Sequence, residues 1–278
     1  MGTKHRSPQG PPPQPPTSSP TRSPSSAAVR LAFPVAGELL YILDGESAAA
    51  VRLVGATKGA GMIAPNMATT LTFVVTDAAV SPGALRPLVA AAVEPTFNAI
   101  AVDGDTSTND TLAVLAGGTG RASPRELRMF GAALTDLLDE LAHLLIGDGE
   151  GVHHVVTIDV RGARTSHDAR AVARRVAISP LVKTAISGGD PNWGRILCAV
   201  GNAGVELRPD RIAFAIGGLP VVRGGAAVEG WDPAAVAAVM KTPAYAMTID
   251  LGQGRATARH LACDLSHDYV TINADYTT

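Results

Sequence analysis

Ser123-Pro124-Arg125-Glu126 reads as the opening of a long helix with one face to bury, and no other stretch of the chain restricts the fold as strongly. The serine precedes a proline suited to the first helical position, and the glutamate stands where its side chain can reach back to the N-cap amide. Behind this capping box Leu127, Phe130, Leu134, Leu137, Leu138, Leu141 and Leu145 recur at intervals of three and four, forming a stripe that ends near Gly147. Such a stripe needs a sheet or further helices to cover it. Strand-like runs at residues 71–79, rich in Thr and Val, and at 154–160 supply them on either side. The pattern further predicts helices over 82–97, 169–177 and 232–241, an apolar segment at 192–200, a strand near 212–216, and two hairpin-like strands at 245–251 and 257–265. The class is therefore mixed α/β (α+β).

The charge balance narrows the function. With 278 residues, a net charge of -2 and 46% apolar residues, the chain reads as one large or two modest globular domains without the basic surface that nucleic acid demands. No run approaches the roughly 18 apolar residues of a membrane span, and the N-terminus lacks the apolar core of a signal peptide. A cytoplasmic location is expected. Residues 1–29 are rich in Pro and Ser and carry no acid, a composition that cannot pack a core, so a disordered tail is expected there. A transit peptide is the alternative, opposed by the proline density. Cys198 and Cys263 fit a reducing compartment, with one disulfide left open. His260, Cys263 and His267 lie close in sequence, but a fourth ligand is missing and a metal reading is set aside. The acidic stretch DGDTSTND lacks the Gly and Glu of a calcium loop.

The chain contains no GxSxG elbow, phosphate-binding loop, HExxH or dinucleotide fingerprint. Its unusual stretches are Gly-punctuated polar loops: KGAGMIAPNMAT, VDGDTSTNDT, GDGEG, SGGDPNWGR and the final INADYTT. Each taken singly is also a plain turn. In the first, Ala68 is followed by Thr69 and Thr70 where the loop enters a strand. A hydroxyl is a weak nucleophile unless a base stands beside it, and a threonine can use its own α-amine once the chain is cut before it. A small residue before the bond and a rigid strand behind it suit such a cut. Equally, both threonines suit the start of a strand as β-branched residues.

KGAGMIAPNMAT, followed in order by TFNAIAVDGDTSTND, SPLVKTAISGGDPNWGRI and CDLSHDYVTINADY, resembles the bifunctional glutamate N-acetyltransferase/ornithine acetyltransferase family of arginine biosynthesis, from about residue 55 to the end. The resemblance implies a mixed-sheet sandwich and self-cleavage between Ala68 and Thr69 into α and β chains, which assemble as a heterotetramer. It implies Thr69 as the nucleophile that carries acetyl from N-acetyl-L-ornithine to L-glutamate, with no bound cofactor and acetyl-CoA as a further donor. Lys58 would hold a substrate carboxylate and Glu150 the substrate ammonium, with Asn273 and Thr278 as remaining polar contacts. For Lys58 and Glu150 the plain alternative is a solvated surface charge. DGDTSTND and GDPNWGR are expected to act as scaffolding near the site. Domains follow as a tail over 1–29, a remnant of the α chain over 30–68 and the β chain over 69–278.

Three departures from the family pattern stand out. Val152, His153 and His154 follow the Gly-Glu-Gly where Ala-Thr-Lys is usual, and Thr70 replaces an apolar residue. The Thr-Gly pair that forms the family's oxyanion hole has no counterpart ahead of Thr69, since Thr119-Gly120 follows the nucleophile. An incomplete first domain is therefore expected, and with it a second reading, a catalytically impaired remnant or β-type subunit that needs an α segment.

Overall fold

The computed structural model describes residues 37–43, 51–67 and 69–275. The tail over 1–29, Ala68 and Thr278 lie outside the described residues. A first, four-stranded sheet has the order β1 (Gly37–Leu43), β2 (Val51–Lys58), β3 (Leu71–Thr76) and, beyond α1 (Pro82–Val93) and the short β4 (Ile100–Ala101), β5 (Thr111–Ala116). β1, β2 and β3 pair antiparallel, and β3 pairs parallel with β5. The long helix α2 (Pro124–Gly147) follows.

The chain then runs through β6 (Val155–Ala163), α3 (Ser166–Ala177), α4 (Pro180–Ser187), α5 (Trp193–Gly201), β7 (Ala213–Ile216), β8 (Leu219–Arg223), β9 (Ala226–Ala227), α6 (Pro233–Met240), β10 (Ala244–Asp250), β11 (Ala256–Cys263) and α7 (His267–Asp275). Its strands join β4 in a seven-stranded sheet of order β4-β11-β6-β10-β7-β8-β9. Both sheets mix parallel and antiparallel neighbours, which makes the fold the mixed α/β class expected.

Helix α2 begins as its sequence dictates. Ser123 Oγ accepts from the Glu126 amide at 3.3 Å, and Glu126 Oε2 accepts from the Ser123 amide at 2.7 Å. A cap of this kind contributes about 1 kcal/mol. The buried stripe includes Phe130, Leu134, Leu137, Leu138, Leu141 and Leu145, and it is widened by Ala133, Ala142 and Ile146. The width has a cause: α2 packs on β1 and β2 of the first sheet and also on β11 of the second. A second core lies on the other side of the seven-stranded sheet, where α3 and α5 cover Ile158, Val160, Met247 and Ile249.

Several local expectations are corrected. β10 and β11 are not a hairpin, because β6 lies between them, parallel to β10 and antiparallel to β11. The turn joining them is drawn across the end of β6: the amides of Leu251, Gln253 and Gly254 donate to the carbonyls of Arg161 and Gly162 at 2.7–2.9 Å. Most of the stretch ending in INADYTT is not a loop but helix α7, whose start is fixed by Ser266 Oγ accepting from the Tyr269 amide at 3.2 Å. Helix α1 stops at Val93, just ahead of Pro95, instead of reaching residue 97. Helix α4 and strands β2, β5, β8 and β9 are additional to the elements read from sequence.

The polarity of the first sheet is unusual. Along β3 burial alternates, with Thr72, Val74 and Thr76 inside and Leu71, Phe73 and Val75 outside. The buried threonines are satisfied: Thr57 and Thr72 share a hydrogen bond between hydroxyls at 2.7 Å, and Thr76 donates to the Arg52 carbonyl at 2.6 Å. The outer face, by contrast, leaves Phe73 50%, Val75 49% and Leu115 55% exposed. An apolar patch of this kind is a surface built to be covered.

Candidate active site

The site grows from the loop that links β2 to β3. Strand alternation extends back through the loop's end, so Thr69 is exposed and Thr70 fully buried. The Thr70 hydroxyl donates to Asp110 Oδ1 at 2.7 Å, and the Thr70 amide donates to the same oxygen at 3.0 Å. That hydroxyl is locked. The Thr69 hydroxyl points the other way, 3.0 Å from both the Gly61 and Met62 carbonyl oxygens. Its amide donates to Ser107 Oγ at 2.5 Å and to Asp110 Oδ1 at 3.0 Å. Asp110 Oδ2 is buried and has no hydrogen-bond partner, an orphan that ordinarily costs about 1–3 kcal/mol.

The turn that presents those two carbonyls is held under strain. Met62 adopts φ 55°, a left-handed conformation that costs a non-glycine residue roughly 1–2 kcal/mol. Asp103 offsets it, its Oδ2 accepting from the Met62 amide at 2.7 Å and its Oδ1 from the Ile63 amide at 3.1 Å. Tyr269 of α7 donates its hydroxyl to Asp103 Oδ2 at 3.2 Å. Burial, then the Asp103 charge, push that phenol up to about 12, so it stays protonated and remains a donor. On the other side of Ala68, Asn98 grips Met67 from both sides. Its Oδ1 accepts from the Met67 amide at 2.7 Å and its Nδ2 donates to the Met67 carbonyl at 3.0 Å.

Glu150 closes the loop from above. Its amide donates to the Ala60 carbonyl at 2.9 Å, and its Oε2 accepts from Asn273 Nδ2 at 3.0 Å. The contact exists because α7 presses onto Gly151, which has φ 65° and whose added Cβ would sit 2.4 Å from the Tyr269 nitrogen. A Cβ on Gly61 would sit 2.5 Å from Glu150 Oε2. Lys58 ends β2 opposite Leu71, is exposed, and has no ion-pair partner among the described residues. The structure thus gathers Thr69, Glu150 and Asn273 around the Gly59–Met62 turn, with Lys58 at its entrance. Gly61→Ala is expected to fold with little change in melting temperature, because Glu150 is a flexible side chain that can swing away. It should displace that carboxylate and break its 3.0 Å hydrogen bond with Asn273, as a crystal structure of the variant would report.

DGDTSTND, read from sequence as scaffolding near the site, lies against it: its Ser107 and Asp110 accept from the Thr69 amide and its Asp103 holds the turn under the hydroxyl. The signal available was a serine and an acid three residues apart in a polar turn. In SGGDPNWGR, Asn192 caps α5, its side chain accepting from the Arg195 amide at 3.2 Å. The departure at His153 has a use: its Nε2 lies 3.1 Å from Asp268 at the start of α7, and its amide donates to buried Asp264 at 2.9 Å. His260 and Cys263 fall on opposite faces of β11, with Cys263 in the core shared with α2 and its Sγ 3.4 Å from Lys183 Nζ. Among the described residues no group of three or more His, Cys, Asp or Glu could hold a metal ion. The two cysteines are free thiols. Among the described residues no helix is long and apolar enough to cross a membrane.

A cavity of about 1230 Å³ runs along α1 and β5 and is lined by Ser107 and Asp110 but not by Lys58, Glu150 or Asn273. It lies on the side of the Thr69 amide, which Ser107 and Asp110 hold, while the hydroxyl points to the Gly61 and Met62 carbonyls.

Fold and site define a mixed α/β protein that presents one accessible threonine hydroxyl at the mouth of a strand, beside a carboxylate–amide pair. The ArgJ family model matches residues 40–278, and the chain belongs to the ArgJ family. It is similar to the arginine biosynthesis bifunctional protein ArgJ of Bradyrhizobium diazoefficiens, 46% identical over 237 residues, covering 82% of this chain and 57% of the relative. The same protein of Deinococcus radiodurans is 46% identical over 227 residues, with the same two coverages. The chain spans little more than half the length of these curated relatives. The crystal structure of the arginine biosynthesis bifunctional protein argJ from Bacillus halodurans superposes with a TM-score of 0.70 at 38% identity, covering 73% of this chain and 98% of the matched one.

Proposed function

We propose that the chain is an N-acyltransferase that moves acetyl from N-acetyl-L-ornithine to L-glutamate through an ester on Thr69. The observation that carries this reading is the contrast between the two hydroxyls: Thr70 is buried and bonded to Asp110, whereas Thr69 is exposed between the Gly61 and Met62 carbonyls, beside Glu150. Maturation begins when the Thr69 hydroxyl adds to the Ala68 carbonyl and the acyl group shifts from nitrogen to oxygen. Water then opens the ester, leaving a carboxylate on Ala68 and a free α-amine on Thr69. An amine of this kind has an ordinary pKa of about 7.7–8.0 and can take the hydroxyl proton in the next attack. Acetyl passes to Thr69 Oγ1, ornithine departs, and the glutamate amine collects the acetyl group.

The surroundings suit the chemistry. Ser107 and Asp110 already hold the Thr69 nitrogen, and the unpartnered Asp110 Oδ2 offers an acceptor for a donor that cleavage creates. Glu150 and Asn273 can bind a substrate ammonium and Lys58 its carboxylate, with Thr278 as a further contact. Acetyl-CoA is proposed as a second donor, no bound cofactor is required, and the cytoplasm is the proposed location. The matched chain of the Bacillus halodurans structure is shorter than this one, while the curated relatives are longer, as a family cut into α and β chains would give.

The test is acetyl exchange between N-acetylornithine and glutamate. Ping-pong kinetics indifferent to chelators are expected, and an activity abolished by chelation would defeat the reading. Lys58→Ala and Glu150→Ala should each raise the apparent KM about tenfold while leaving self-cleavage near its original rate, since they act on the bound amino acid. Fragments 1–68 and 69–278 should also co-migrate in native electrophoresis, because β2 and β3 pair over six residue positions across the cut. Separation without denaturant would exclude a shared sheet.

The exposed face of Leu71, Phe73, Val75 and Leu115 favours a second reading, in which this chain supplies the nucleophile and further polypeptide of the family covers that face and completes the oxyanion hole. Transfer that appears only when a full-length relative's α segment is added would select it. The domain division proposed on either reading is 1–29, 30–68 and 69–278.

A further inference from the structure

A second cavity, of about 600 Å³, lies between helix α3 and strand β11. Its volume falls within the range of small-molecule sites. On α3, His167, Arg170 and Arg174 are spaced three and four apart and share one helical face. Arg259 and His260 of β11 stand opposite, and Glu94 is the one carboxylate among the lining residues. Glu94 lies 3.5 Å from Arg170, and Arg259 is paired to Asp139, which does not line the cavity. Arg174 has no ion-pair partner among the described residues. Asp139 neutralises Arg259, so Arg170 and Arg174 against Glu94 leave the cavity one positive charge in excess, and Pro65, Pro95, Ala99 and Ala258 give it apolar walls.

His260 adds selectivity. It is 4% exposed, and its Nδ1 lies 3.0 Å from the Leu261 carbonyl, which fixes the proton on Nδ1 and leaves Nε2 as an acceptor. Burial, helped by Arg174 and Lys183, pushes the imidazole down to about 4, so it is neutral at physiological pH. A ligand completing this site needs anionic oxygens for the arginine forks and one O–H for Nε2.

We propose that this cavity binds inorganic phosphate as hydrogen phosphate, its anionic oxygens on Arg170 and Arg174 and its one P–OH on His260 Nε2. Sulfate has the same shape and charge but no proton to donate near neutral pH, so it is the discriminating probe. The site is independent of the chemistry assigned to Thr69. It is nevertheless linked to that region, because Glu94, the partner of Arg170, accepts from Asn98, which grips Met67.

Calorimetric titration of the full chain with phenyl phosphate, inorganic phosphate and sulfate tests the proposal. Inorganic phosphate should bind about tenfold more tightly than sulfate, and phenyl phosphate, a dianion without an O–H near neutral pH, should be weakened in the same way as sulfate. Arg170→Ala and Arg174→Ala should each weaken phosphate binding about tenfold. Both arginines are exposed on a helix surface, so the variants should fold, and Arg174→Lys should recover only part of the loss because a point charge lacks the fork. Equal affinity for sulfate and phosphate, or binding unchanged in the double arginine variant, would overturn the site.

Discussion

Thr69→Ala is expected to run as one uncut band on denaturing electrophoresis, while the parent chain separates into fragments 1–68 and 69–278. Alanine has no oxygen to add to the Ala68 carbonyl, so the acyl shift cannot begin, and acetyl transfer should fall to background with it. Thr70→Ala supplies the internal control. Its hydroxyl is buried and donates to Asp110 at 2.7 Å, so removing it should cost about 1 kcal/mol of stability and leave the cut in place. Intact mass of the larger fragment, beginning at Thr69, identifies the bond. A cut Thr69→Ala beside an uncut Thr70→Ala would transfer the role to the neighbouring residue.

Asp110→Asn should move the pH profile of transfer toward acid. The sign follows from the proposed base. The free α-amine of Thr69 works only when unprotonated, so activity rises with pH through the pKa of that amine. A carboxylate 3.0 Å from the nitrogen favours its protonated form and holds the rising limb at higher pH. Replacing the charge by a neutral amide keeps an acceptor for the Thr70 hydroxyl and removes the attraction. The limb should then fall by about one unit, read from kcat/KM against pH. Asn98→Ala, which loosens Met67 but leaves the charge at Thr69, should slow maturation without moving the limb. A limb unmoved in Asp110→Asn would show that the carboxylate only braces the strand.

Much of this architecture is written locally. The capping box at Ser123 and the leucine spacing behind it determined helix α2 and most of its buried face, because those interactions lie within a few residues of one another. The ordered loop motifs determined the family, and the Ala68-Thr69 step marked the candidate nucleophile. Strand order was not legible: β6 separates β10 from β11 through pairings more than 80 residues apart in sequence, which no local pattern encodes.

The division is sharpest in β3. Its sequence LTFVVT determined that the run alternates, but period two alone does not say which set faces inward. Tertiary structure decided that Thr70, Thr72 and Thr76 go inside, because Thr57, Arg52 and Asp110 offer their hydroxyls partners there, while Leu71, Phe73 and Val75 remain on the open face. That same choice put Thr69 outside. It also brought Ser107 and Asp110 to the Thr69 nitrogen across some forty residues and Asn273 to Glu150 across 123. Sequence determined the helices, the family and the threonine pair, since these depend on neighbours along the chain; only the folded sheet decided which threonine hydroxyl is exposed and which is buried, since that depends on what lies opposite it.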